Sequence, residues 1–184
     1  APRAKLVSLP YAFDESVATL ITRSEGHGIP LKKHIDAQRI RVQQVDPGEM
    51  SPGEFIYAIR SAVEKDAARM VVIDSLNGYL NAMPEERFLT IQLHEVLTYL
   101  GQQGVVTLMV VAQKGLLGSG MQTPVDASYL ADTVIALRYF EATGQLRRAI
   151  WVVKKRRGAH EDTLRELTLR RGGIAVGEPL TEFH

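Results

Sequence analysis

Cysteine is absent from the 184 residues. Its absence excludes disulfide staples, thiolate metal sites and cysteine nucleophiles, and is compatible with a reducing compartment. An excess of one charge is also missing, since 22 Lys and Arg stand against 21 Asp and Glu for a formal net charge of +1. Bulk electrostatics therefore gives no reason to expect wholesale coating of nucleic acid or of an anionic membrane, and any such binding has to be local. No apolar run approaches the roughly 18 residues of a membrane helix. The opening APRAKLVSLPYAF has too short and interrupted an apolar stretch to read as a signal peptide. The expectation is a cytoplasmic protein without membrane contact. Aromatic residues are sparse at 7%, yet 45% of the chain is hydrophobic and 23% charged, the balance of one soluble domain able to bury a core.

Short β-branched runs alternate with longer helical periods, the pattern of an α/β domain with a mainly parallel sheet. Residues 6–13 read as a strand broken or bent near Pro10, and Asp14 or Ser16 then caps a helix bearing Val17, Leu20 and Ile21 on its apolar side. A second strand is expected over 39–45. Ser51, Pro52 and Glu54 form the signature of a capped helix start, followed by Phe55, Ile59 and Val63 on one face. Residues 70–73 are expected to be a strand covered on both faces and ending at Asp74, and 105–112 another buried strand. Between them, 85–103 gives the longest helical period, with Phe88, Ile91, Leu97 and Leu100 as its expected core. The three glycines in 114–123 suggest a loop. From Thr133 onward the pattern changes to antiparallel strands over 134–140, 145–153, 163–169 and 174–176, with Thr143-Gly144 as a hairpin turn. A body over 1–132 and a β-rich flank over 133–184 are expected to make one domain.

Three constellations carry candidate chemistry. The run MVVIDS presents Asp74 at a strand's carboxyl end, where an aspartate holds a water of a magnesium ion or simply caps the next turn. Asp14 and Glu15 follow the first strand. Open parallel sheets gather ligands at strand carboxyl ends, so these two, Asp74 and Gln113 are expected on one rim. There Glu15 would accept a proton from attacking water, Asp14 would orient its neighbour or the metal shell, and Gln113 would position a terminal phosphate. The bland alternatives are helix N-terminal acids and a glutamine that satisfies loop backbone. In WVVKKRRGAHE, Lys154 and Arg156 are two apart on a strand, with His160 beyond a glycine turn. Cations so placed neutralise phosphoryl charge, or merely decorate an edge strand.

Taken in order, FDES, MVVIDSLNGYL, the VVAQ strand end, YLADTVIALRYFE and KKRRGAHE resemble the KaiC-like branch of RecA-type ATPases, from about Tyr11 onward. The resemblance implies a RecA-like three-layer α/β fold with a mainly parallel central sheet and a C-terminal antiparallel flank. It implies ATP and Mg2+ as ligands of the whole protein and self-association into a hexameric ring. By its Lys-x-Arg-x-x-x-His pattern, Lys154, Arg156 and His160 would reach the nucleotide of the neighbouring subunit. An early acidic pair in the family activates water, matching Asp14 and Glu15, with aspartate in place of the commoner first glutamate. The Walker B aspartate falls on Asp74, and Gln113 is a softer match.

One departure outweighs the others. The phosphate-binding loop ending in Gly-Lys-Ser/Thr is missing, and GLLGSGMQ has neither the lysine nor the strand-to-helix position. In the family that loop, its strand and its helix precede the point where this chain starts, so the resemblance implies a domain lacking its P-loop portion and a chain inactive by itself, with no nucleotide bound. Two other classes stay open. One is a nucleic-acid-binding module using Arg147, Arg148, Lys154, Lys155, Arg156 and Arg157. The other is a catalytically silent domain for oligomerisation or for binding signalling proteins.

Overall fold

The structure, a computed structural model, describes residues 8–46, 49–81, 86–112, 129–170 and 172–181. The chain forms two compact units, Ala1–Ala112 and Gln113–His184. The first holds a four-stranded parallel sheet and the second a separate four-stranded antiparallel sheet, so the α/β class with an antiparallel flank is as expected.

In the first unit the elements run β1 (Ser8–Ala12), α1 (Val17–Gly26), α2 (Leu31–Asp36), β2 (Gln43–Gln44), α3 (Pro52–Lys65), β3 (Met70–Asp74), α4 (Leu76–Asn81), α5 (Glu86–Gln102) and β4 (Val106–Val110). The strand order is β2-β1-β3-β4, all parallel, with Ala12 opposite Asp74 and Asp74 opposite Val110. Pro10 sits inside β1 without breaking it. Ser8 exchanges both backbone bonds with the β2 side, to Arg39 and from Arg41, and Ala12 accepts from Val45 on that same side. Alternation then turns Pro10 toward β2 as well, so its missing donor falls where β2 is only two residues long and not on the β3 ladder. The expected strand over 39–45 is accordingly reduced to Gln43–Gln44 and a bridge from Ile40 to Ser8.

One sheet face carries the core. Leu9, Tyr11, Val71 and Ile73 are fully buried, and Tyr11, Phe13, Phe55 and Tyr79 form a cluster of ring pairs with centroids 4.8–5.9 Å apart. Such edge-on and tilted pairs add about 0.5–1.5 kcal/mol each beyond the area they bury. Burial pushes the Tyr79 hydroxyl up to about 12 and raises that of Tyr11 as well; among the described residues the Tyr11 hydroxyl has no hydrogen-bond partner. Helix α3 begins with the capping box read from the sequence. Ser51 Oγ accepts from the Glu54 amide at 3.3 Å, and the Glu54 carboxylate accepts from the Ser51 amide at 2.8 Å. Tyr99 of α5 donates to Glu64 of α3 at 2.9 Å, with Arg60 lying 4.5 Å over its ring.

Three packing expectations are corrected. Helix α5 buries Leu89, Leu93, Val96 and Leu100, whereas Phe88 and Ile91 are 64% and 56% exposed. The helix carries apolar residues on more than one stripe, and the 89-93-96-100 series is the stripe turned inward. Strand β4 lies at the sheet edge among the described residues, and its Val106, Leu108 and Val110 are exposed while Val105 just before it is buried. In β3 burial alternates in place of the two-sided cover expected.

The second unit contains β5 (Thr133–Ala142), β6 (Gln145–Lys155), β7 (Arg165–Arg170) and β8 (Gly173–Pro179), each antiparallel to the next. Thr143 and Gly144 have φ of 51° and 71°, the double positive φ of a two-residue turn whose twist matches its strands. A bulge between Val134 and Ile135 shifts the register just inside the strand's amino end.

Candidate functional site

The parallel sheet delivers Asp14 and Glu15 from the end of β1 and Asp74 from the end of β3, and these two strands are neighbours. The Phe13 amide donates to the Asp74 carbonyl at 2.8 Å, which extends the ladder to the edge of the acidic pair. The hydroxyl of Ser75 then donates to Asp14 Oδ2 at 2.6 Å, so the carboxylate after β1 is tied to the residue that follows Asp74. Ser75 is only 5% exposed and accepts at the same oxygen from the Gly78 amide at 3.2 Å.

Close approach at this point depends on Gly78. A Cβ there would lie 2.5 Å from Phe13 Cβ and 3.0 Å from Asp14 Oδ1. Gly78→Ala is expected to force the segment after β1 away from α4 and destabilise the chain by about 1–3 kcal/mol, the range for overpacking. Urea unfolding of the purified chain measures it, and a midpoint equal to that of the parent would show the segment to be freer than described.

Glu15 forms an ion pair with Arg23 in the last turn of α1. With the arginine side chain 56% exposed, the pair is worth at most about 1 kcal/mol and leaves the carboxylate available to a ligand. Ser16, and not Asp14, is the cap of α1, accepting from the Thr19 amide at 3.1 Å. The helix-capping reading of Asp14 is therefore corrected: a hydroxyl from the next strand's end engages that carboxylate.

On the far side of β3, Asn77 pairs with both backbone groups of Ala112. Its Nδ2 donates to the Ala112 carbonyl at 3.0 Å, and its Oδ1 accepts from the Ala112 amide at 2.8 Å. Gln113 and the glycine-rich stretch 114–123 lie outside the described residues. Sequence reasoning missed both Ser75 and Asn77. The signal was their place in DSLN, since small polar residues directly after a strand's last carboxylate bond neighbouring backbone and side chains.

The basic residues belong to the second unit. Strand β6 ends at Lys155, so Arg156 lies one step beyond it, yet its amide donates to the Asp132 carbonyl at 2.7 Å and prolongs the β5–β6 ladder. Its guanidinium meets Asp132 Oδ1 at 3.2 Å and donates to the Tyr129 carbonyl at 3.0 Å. Lys155 donates to the Ala159 carbonyl at 3.1 Å, closing the turn in which Gly158 has φ of 77°. Asp132, Thr133, Lys155, Arg156 and Arg157 line an open depression of about 360 Å³. Lys154 is half-buried and His160 exposed just past the turn. Other cations of the hairpin are engaged within the sheet. Arg147 is paired with Glu166, and that hydrogen-bonded pairing lowers the carboxyl of Glu166 and raises the guanidinium of Arg147. Arg148 stacks 5.2 Å from the Tyr139 ring. Arg147 is thus partly neutralised, while Lys155, Arg156 and Arg157 remain exposed.

The donors at the carboxylate rim are oxygens, the set magnesium prefers. Among the described residues no group of three or more His, Cys, Asp or Glu forms a metal cage. Magnesium does not need one, because one or two carboxylates, retained waters and substrate phosphates complete its shell. Asp74 fits that water-mediated role, with Asp14 beside it. The phosphates themselves are less well served, since the sequence holds no Gly-Lys-Ser/Thr loop.

A four-stranded parallel sheet with acids at adjoining strand ends, and a separate antiparallel sheet whose β6 runs into a basic turn, give the α/β architecture of a RecA-like domain. The family model described as "ATPase: KaiC" matches residues 11–181, and the chain belongs to that family. It is similar to "Circadian clock protein KaiC3" of Synechocystis sp., 26% identical over 171 residues that cover 93% of this chain and 34% of that protein. It is likewise similar to "Circadian clock oscillator protein KaiC" of Picosynechococcus sp., 23% identical over 173 residues covering 94% of this chain and 33% of the relative. The chain thus spans about a third of the length of the curated relatives it matches. Among the described residues no helix is long and apolar enough to cross a membrane.

Proposed function

We propose that this chain is part of an ATPase domain that, within its whole protein, binds ATP and hydrolyses it at interfaces between identical subunits of a ring, hexameric as the resemblance implies. The observation that carries this reading is the Ser75 link, which ties Asp14 after β1 to the residue that follows Asp74 at the end of β3 in a member of the KaiC ATPase family. Glu15 accepts a proton from water as its oxygen attacks the terminal phosphorus, and the phosphorus–oxygen bond to the departing ADP breaks. Asp14 orients that exchange. Asp74 would hold magnesium through a water, and Gln113 positions the terminal phosphate. Magnesium, when bound, neutralises phosphate charge and aligns the chain of phosphates. Lys154, Arg156 and His160 approach from the adjoining subunit and compensate the negative charge that spreads over the transferring group. A cytoplasmic setting and contacts with signalling proteins are part of the same reading.

The 184 residues alone are expected to turn over little ATP. Without amide donors and a lysine around the phosphates, carboxylates face phosphate oxygens in net repulsion. Phosphate release is to be measured for this chain and for a version that includes a Gly-Lys-Ser/Thr loop upstream. Turnover is expected only from the longer version; turnover by the short chain that Glu15→Gln abolishes would refute the need for the loop.

A further inference from the structure

The turn that follows β3 is committed on three sides at once. Leu76 is buried in the core, Asn77 holds both backbone groups of Ala112, and Ser75 holds Asp14. A hydroxyl has one proton to donate. Because the Gly78 amide already donates into Ser75 Oγ, the serine proton is directed to Asp14 Oδ2 and the hydroxyl cannot swing to another acceptor without losing both bonds. Asp14 is otherwise an exposed side chain in a bend, with rotamers open to it that the catalytic rim would not tolerate. We propose that Ser75 is a positioning residue, acting through Asp14: anchored by Leu76 and Asn77, its hydroxyl fixes the direction of the acidic pair relative to Asp74. This rests on the assignment of Asp14 and Glu15 to the attacking water.

Placement errors of this kind register in turnover more than in binding, since about 1 Å of misalignment costs up to about 100-fold in rate. In the full-length protein, Ser75→Ala is expected to lower kcat for ATP by about 10- to 100-fold with KM changed less than about threefold, and to melt close to the parent. Ser75→Thr, which keeps the hydroxyl, is expected to retain turnover within about threefold. The decisive measurement is a double-mutant cycle. If Ser75 works through Asp14, adding Ser75→Ala to Asp14→Ala lowers kcat no further, whereas independent effects multiply. Multiplying effects, or a fully active Ser75→Ala beside an inactive Glu15→Gln, overturn the proposal and leave the functional reading standing. A fully active Glu15→Gln removes the functional reading, and the role of Ser75 falls with it. Should Ser75→Ala unfold, an inactive Ser75→Thr that melts normally overturns the proposal equally.

Discussion

Glu15→Gln, made in a version that carries a Gly-Lys-Ser/Thr loop, is expected to lower ATP turnover by about 10²–10⁴-fold while leaving nucleotide bound, the range for removing a general base. The substitution keeps the side chain's shape and removes its ability to take a proton. Its structural cost is small because the partner it loses, Arg23, lies at the surface and the pair contributes little to folding. An unchanged melting temperature with collapsed kcat therefore isolates the chemical role. Arg23→Ala is the companion control. It breaks the same ion pair from the other side, and kcat should change far less than with Glu15→Gln. Equal losses from both variants would mean that the pair, and not the carboxylate as a base, is what turnover requires. The readouts are single-turnover hydrolysis and binding of ATP to each variant, which separate chemistry from affinity.

Much of the frame behind these expectations is legible in local sequence, because local chemistry sets it. Ser51, Pro52 and Glu54 start a helix by satisfying one another's backbone groups, and the structure contains that box. Thr143-Gly144 supplies the two positive φ values its hairpin needs. The rim at the ends of β1 and β3 follows from parallel pairing alone, given that both runs are strands. What local sequence does not contain is the choice between competing apolar stripes. Phe88 and Ile91 are as hydrophobic as Leu89 and Leu93, and only the position of α3 and the sheet decides that the latter pair turns inward. Strand β4 reads as fully buried for the same reason: a run of valine and leucine reports that some face is covered, not that one face at a sheet edge is open. The place of Ser75 and Asn77 in DSLN marks them as residues that bond nearby groups but not which ones, because their partners, Asp14 and Ala112, are 61 and 35 residues away in sequence. Short polar side chains reveal their bonds only when strands from separate parts of the chain are adjacent.

Arg156→Ala is expected to depress turnover of the assembled protein by about 10³-fold or more, the lower end of what a charge-stabilising arginine contributes to phosphoryl transfer. Three features of this residue bear on the expectation. Its amide continues the β5–β6 ladder through the Asp132 carbonyl, its guanidinium is held by Asp132 Oδ1, and the Tyr129 carbonyl accepts a further bond. The group is thus presented from a fixed base rather than carried on a free loop, which lowers the ordering cost of meeting an anion. Half of the side chain is exposed, so a phosphate of higher charge can displace a solvated carboxylate whose own side chain is 81% exposed. Arg156→Lys should recover only part of the loss, because an ammonium lacks the planar fork that meets two phosphate oxygens together. The mixing experiment is the sharper measurement. Subunits bearing Glu15→Gln and subunits bearing Arg156→Ala are each expected to be nearly inactive, but a mixed assembly contains interfaces where an intact Glu15 faces an intact Arg156, and these recover turnover that neither preparation shows alone. Mixed assemblies of confirmed size that stay inactive would place both groups in the same subunit's site and end the case for action across the interface.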